Sequence, residues 1–214
     1  MFSGKSRRAP DARLPITLPV LQKLCAALDH TTTSFYHRLL FKAMFLTAFY
    51  GFFRIGELTV KSATSRNAVV QYKDLVWLVD RQKNLLGAKL TLANFKHNTS
   101  QRPFDVYLLR QGSGTFCPVM VLQSYCSVRG SQPGPLFCLQ TDTGIPTSMF
   151  NTQLRQCLVS CGLDSSHYKA HSFRIGAASY AAERGFSDSQ IRGMGRWKSD
   201  AFRLYLRSDT IGAI

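Results

Sequence analysis

Acidic residues are scarce in this chain: 12 Asp and Glu stand against 27 Lys and Arg, a formal net charge of +15. A field of that sign draws in polyanions from a distance. Nucleic acid is the first partner it suggests, with an anionic membrane surface or bare solubility as the plainer readings. Paired cysteines are also missing. None of Cys25, Cys117, Cys126, Cys138, Cys157 and Cys161 stands in a C-x-x-C pair, which excludes the usual zinc and redox spacings and points to reduced intracellular thiols. Cys157 and Cys161 lie one helical turn apart, a spacing that suits two small side chains facing a core better than half a metal site. No metal or cofactor is implied. Long apolar runs are absent, and the basic N-terminus (Lys5, Arg7, Arg8) is interrupted by Pro10, Asp11, Arg13 and Pro15 before any signal core can form. The chain reads as soluble, not secreted and not membrane-bound. Internal repeats and low-complexity segments are lacking too.

What is present is enough apolar material for a real core: 214 residues, 45% of them hydrophobic and 18% charged. Residues 1–15, polar and proline-bearing, read as a flexible leader or the stub of a linker, and residues 16–214 as one domain. Thr17 is placed to cap a helix running to His30, with Leu18, Leu21, Leu24, Cys25 and Leu28 on one face. Ser34 is placed to cap "FYHRLLFKAMFLTAFYGFF", apolar around most of its circumference and therefore a buried helix. "RIGELT" suits a further short helix. The pattern then changes: "DLVWLV", "AKLTLANF" and "PFDVYLL" are short β-branched or aromatic runs and predict a three-stranded antiparallel meander. Helices return near 118–129, 147–160, 170–184, 188–195 and 199–206, with a brief extended "PLFCL" among them and glycines at 130, 162 and 185 where helix ends are expected. The expected fold is α+β, a mostly helical body with a small three-stranded antiparallel sheet on one side.

Several basic residues stand out by position. Arg54 follows five aromatic or glycine residues at the end of the buried helix, where an unpaired charge is costly. Glu57, one turn on, either makes a plain helix pair with it or holds the guanidinium still while its other donors face a ligand. His171 and Arg174, three apart in "AHSFRIGAASYAAERG", share a helix face. That arrangement suits an anion held between them, or a capping histidine with the arginine paired elsewhere. Lys96, His97 and Arg102 fall in the second hairpin turn, as solvated rim residues or as followers of a phosphate backbone. Lys73, Lys83, Lys169, Arg192, Arg196 and Lys198 are either further DNA-lining positions or ordinary surface charges.

Taken together, these groups can do chemistry on a phosphodiester. Arg54 and Arg174 supply planar forks matched to its non-bridging oxygens, and Trp197 adds an indole N–H. Tyr205, eight residues after Trp197, is a poor nucleophile at its free pKa of about 10, but two guanidiniums stabilise both a phenolate and a phosphorane. His171 can take the tyrosyl proton and Lys96 can protonate the departing 5′ oxygen. The scheme needs no metal.

The order Arg54, Lys96, "HSFR", Trp197, Tyr205 resembles the catalytic domain of the tyrosine recombinases, the phage-integrase-like enzymes that share their chemistry with type IB topoisomerases. "RIGEL" matches the helix of the family's first arginine, with Glu57 in the place of its supporting acid. The resemblance runs over roughly residues 15–207. It implies a DNA breaking-and-rejoining fold with Tyr205, Arg54, Arg174, His171, Lys96 and Trp197 as catalytic residues. His97, Arg102, Lys169, Arg196 and Lys198 are then expected at the DNA, and the implied assembly is a homo-oligomer, a tetramer, on double-stranded DNA. "GRWKSDAFRLYLR" is closest in wording to recombinases of eukaryotic mobile elements, the DIRS, Ngaro and Crypton types, which implies a nuclear location.

The chain departs from the family pattern in four places. The leader has no room for the family's N-terminal core-binding module. The Trp197–Tyr205 interval is one residue shorter than in the best-known members, a rotation of about 100° if carried through a helix, so a loop is expected to absorb it. Ile175 stands where many members have histidine, and Ile214 leaves a short tail after the tyrosine. Other readings of the same residues are a domesticated or truncated DNA-binding protein without turnover, a topoisomerase-like relaxing enzyme and, further off, an RNA-binding module.

Overall fold

The structure, a computed structural model, describes residues 13–61, 68–93, 95, 102–112, 114–199 and 202–203. Helix α1 (Leu18–Thr31) buries Leu21, Leu24, Cys25 and Leu28 on the expected face. Thr17 holds the N-cap position, but its hydroxyl makes no capping bond; Pro19 in the first turn has no N–H to satisfy and removes one of the orphan donors. Helix α2 (Phe35–Tyr50) begins at Ser34, whose hydroxyl accepts the N–H of His37 at 3.3 Å. It is the axis of the molecule. Every residue from Ala43 to Phe49 is buried, and α1, α4 (Pro118–Arg129) and α6 (Ser172–Glu183) pack around it. Phe45 meets Phe173 of α6 at 5.4 Å and Phe150 of α5 (Thr147–Ser160) at 5.5 Å between ring centroids. These aromatic contacts seat α6 against the end of α2 from which Arg54 emerges.

The meander forms as expected. Strands β1 (Leu75–Val79), β2 (Leu85–Leu92) and β3 (Phe104–Leu109) pair antiparallel in sequence order, with Trp77 opposite Ala88 and Ala88 opposite Leu108. Ala88, Leu90, Leu92, Val106 and Leu108 face the helical body and are buried; Val76, Tyr107 and Leu109 face outward. The β1–β2 turn is held by the Asp80 carboxylate, whose Oδ1 accepts the N–H groups of Gln82 and Asn84, each at 2.8 Å. "PLFCL" makes no strand and bends at Leu136 and Phe137: Leu136 donates its N–H to Val70 O, and Pro135 and Cys138 make isolated bridges to Gln71 and Gly144.

Between α3 (Ile55–Leu58) and α7 (Asp188–Gly195) the chain returns to the same place twice, and that is where the candidate site lies. The helix expected over 170–184 starts two residues later, at Ser172, and α7 matches 188–195. Of the helix expected over 199–206, only residues 199, 202 and 203 are described, the last two in a 3₁₀ turn. Residues 1–12 of the expected leader lie outside the described residues. Its end is tied down: Leu14 donates its N–H to His167 O at 2.9 Å, and Ile16, fully buried, donates to Ser172 O at 3.0 Å. No helix among the described residues is long and apolar enough to cross a membrane.

Candidate active site

The site starts from a sharp exit. After α2 the chain turns through Gly51 and Phe52, the latter left-handed at φ 52°, and enters α3 with Arg54 as N-cap. Glu57, one turn into α3, does two things at once. Its Oε2 accepts the Arg54 backbone N–H at 2.8 Å, satisfying an orphan donor of the helix start, while Oε1 accepts Arg54 Nη1 at 3.2 Å. The carboxylate is 5% exposed and the Arg54 side chain 22%. Here the simple pair and the holding role coincide, because a carboxylate fixed at both oxygens fixes the guanidinium bonded to it.

Across from α3 is the end of α7. The chain leaves this helix through Arg196, left-handed at φ 55° and ψ 42°, so that the carbonyls of Gly195 and Arg196 face the arginines. Gly195 O accepts Arg174 Nη2 at 2.7 Å, and Arg196 O accepts Arg54 Nη2 at 3.4 Å. Arg174 Nη1 donates to Phe52 O, and Arg196 Nη2 reaches the same carbonyl at 3.0 Å. The Trp197 indole lies against the Arg174 guanidinium, 4.5 Å from the guanidinium carbon to the ring centroid, with Phe52 edge-on to it at 6.2 Å. Thus the two arginines and the tryptophan singled out in the sequence, together with Glu57, form one cluster.

Two guanidiniums, Arg54 and Arg196, share the Glu57 carboxylate, and Arg174 joins them through the Phe52 carbonyl that Arg196 also reaches. Arg174 is 1% exposed and Arg196 8%. Burial holds Arg196 below the ordinary arginine pKa, opposed by the Glu57 charge and assisted by that of Arg54. With three cations and one anion among its described residues, this largely water-excluded cluster is an anion-receiving arrangement, since an incoming phosphate offsets the repulsion among the guanidiniums.

His171 is the N-cap of α6, half-buried, and its carbonyl accepts the Arg174 N–H at 3.0 Å. With Arg13, Arg155 and Lys169 it lines an open cavity of about 580 Å³ at the start of that helix. Lys169 and Lys198 are exposed, as is Arg102 beside β3. Arg196, expected among the DNA-lining residues, is instead turned inward onto Glu57 at 2.7 Å. Ile175 is fully buried in the core side of α6. Lys96, His97 and Tyr205 lie outside the described residues. The role of the Phe52 and Gly195 carbonyls and the inward turn of Arg196 were missed in the sequence; an arginine wedged between glycine and tryptophan in "MGRW" was the available signal.

No protein-family model matches the sequence, and no curated protein does. Solved structures match in fold. XerA recombinase shares 17% identity at a TM-score of 0.63, over 92% of this chain and 62% of that one. A lambda integrase dimer bound to a COC′ core site shares 15% at 0.62, over 99% and 51%. An FLP recombinase–Holliday junction complex shares 12% at 0.56, over 84% and 43%. The chain therefore has the tyrosine recombinase catalytic fold, helices carrying a three-stranded antiparallel sheet. It spans from about two-fifths to about three-fifths of the length of these chains.

Proposed function

We propose that residues 16–214 form the catalytic domain of a DNA strand-exchange enzyme. Tyr205 attacks a backbone phosphorus, the P–O bond to the 5′ oxygen breaks, and a 3′-phosphotyrosine and a free 5′-hydroxyl result. His171 takes the tyrosyl proton, Lys96 gives one to the leaving oxygen, and Arg54 and Arg174 bear the charge of the phosphorane. A second strand's hydroxyl reverses the step. The phosphodiester bond energy is kept in the covalent link, so no ATP enters.

One observation carries this reading: Arg54 and Arg174, 120 residues apart in sequence, are bonded to successive carbonyls, Arg196 and Gly195, immediately before Trp197. The chain then runs on for eight residues to Tyr205. Further support comes from the net charge of +15 and from neighbours that include XerH site-specific recombinase bound to its difH substrate. The proposal extends to double-stranded DNA as partner, a homotetramer on it, and a mobile-element origin with a nuclear location. The test is a nicked suicide substrate incubated with the protein. A denaturant-resistant protein–DNA adduct is expected from wild type and none from Tyr205→Phe, which keeps its DNA binding. A wild type that binds the substrate but forms no adduct refutes catalysis.

A second reading, a DNA-binding protein without turnover, is favoured by one feature: the Arg174 fork is buried, with both ends on carbonyls of its own chain. Both readings give DNA binding that falls steeply with salt as counterions are released. The adduct separates them.

A further inference from the structure

Arg196 is buried within the cluster, with only 2% of its side chain exposed. The two acceptors of its Nη2 have second employments. Glu57 Oε2, 2.7 Å from Arg196 Nη2, belongs to the carboxylate that holds Arg54 through Nη1 and the backbone N–H. Phe52 O, 3.0 Å from the same nitrogen, also receives Arg174 Nη1. The Arg196 carbonyl in turn accepts Arg54 Nη2. One residue is therefore tied, by side chain and by backbone, to the partners of both other guanidiniums.

We propose that Arg196 is a positioning residue, which sets the placement of Arg54 and Arg174 relative to each other and touches no substrate atom itself. Three features argue for it. Both acceptors of Arg196 Nη2, Glu57 Oε2 and Phe52 O, belong to the cluster itself, so that nitrogen is spent on holding neighbours. Its guanidinium stacks over Phe53 and Phe104, 5.5 Å from each ring centroid, while donating to a carboxylate and a carbonyl, and only a planar fork does both. A buried cation beside two others is costly, and packing alone would be served better by an apolar side chain. The left-handed backbone at a residue other than glycine belongs to the same device, because that bend lets the carbonyl face Arg54 while the side chain turns back to Glu57.

The lock itself is independent of what the domain does; its effect on rate rests on the strand-exchange reading. Nitrogen-15 spectra of the guanidinium groups test the lock directly. In wild type, Arg54, Arg174 and Arg196 are expected to show slow rotation of their Nη groups. In Arg196→Lys and Arg196→Met, the Arg54 and Arg174 signals are expected to average while the amide spectrum stays native. Single-turnover cleavage by Arg196→Lys should fall about 100-fold with DNA affinity unchanged, the scale of loss expected from misplaced catalytic groups. Free rotation of Arg196 in wild type overturns the proposal without any variant, which covers the case in which both variants fail to fold. Unaltered Arg54 and Arg174 signals in the lysine variant overturn it as well, as does cleavage at the wild-type rate. If wild type forms no adduct, the strand-exchange reading falls and the spectra alone judge the lock.

Discussion

Gly195 yields its side-chain space to Trp197: a Cβ placed on it would lie 1.6 Å from Cζ3 of the indole. That close approach is what brings the ring over Arg174. Gly195→Ala must therefore push the indole out or bend the end of α7. Overpacking of this kind costs about 1–3 kcal/mol. The expected result is a lower melting temperature together with a tryptophan emission shift toward that of a solvated indole. An alanine variant that melts and emits like wild type would contradict the packing described here.

Gly176 makes the corresponding allowance on α6. A Cβ there would meet Ile16 O at 1.8 Å, the segment that runs alongside and donates to Ser172 O. Gly176→Ala should release residues 14–16 from the helix and destabilise the protein by about 1–3 kcal/mol. Hydrogen exchange should show the Leu14 and Ile16 amides losing protection ahead of those of α2. Retained protection at both amides would mean that the segment is held by something other than this contact.

The elements most legible in the sequence were those whose physics is local. The apolar stripe of α1, the all-apolar α2 and the β-branched runs of the meander each announce their period, and burial follows from it. Positions set by distant partners were not legible. Leu14 looks like a leader residue until His167, 153 positions on, supplies its acceptor. Phe52 and Arg196 adopt left-handed backbone without being glycine, and only the hydrogen bonds across the cluster account for it. In the site, Arg54 and Glu57 could be picked out because a charge in apolar surroundings needs a partner, and Arg174 by its spacing from His171. The partners of Arg174 proved to include main-chain carbonyls, which any residue type would provide and which therefore leave no trace in composition or spacing.

Alkaline pH should unfold the protein through its core. Burial pushes the Cys25 and Cys126 thiols from 9.0 up to about 12, and the Tyr36 and Tyr50 phenols from 10.0 up to about 12. In each case the folded pKa lies above the unfolded one, so the folded state favours the protonated form. The stability these groups contribute is complete below about pH 9 and is lost as pH rises toward about 12. The urea midpoint is expected to stay level from about pH 7 to 8 and to fall steadily above about 9. All six cysteines are free, and iodoacetamide at neutral pH should label the half-exposed Cys161 ahead of the five buried thiols. A midpoint that rises between about pH 9 and 11 would reverse the sign and with it the assignment of those groups to the interior.

Arg174 offers the sharpest separation of binding from chemistry. Its fork spans Phe52 O on one side and Gly195 O on the other, under the face of Trp197. Arg174→Lys keeps the charge, and with it most of the attraction for a polyanion, but an ammonium cannot bridge two carbonyls and present a planar edge at once. DNA affinity and its salt dependence should change little. Cleavage of the suicide substrate should fall by about 100- to 1,000-fold, the scale seen when one oriented donor to a developing oxyanion is lost. Arg174→Ala should lose at least as much rate and, with the Gly195 carbonyl deprived of its guanidinium donor, should also melt lower. Equal losses of affinity and rate in the lysine variant would show that Arg174 holds DNA in the ground state and the transition state alike, and its place in the mechanism would have to be given up.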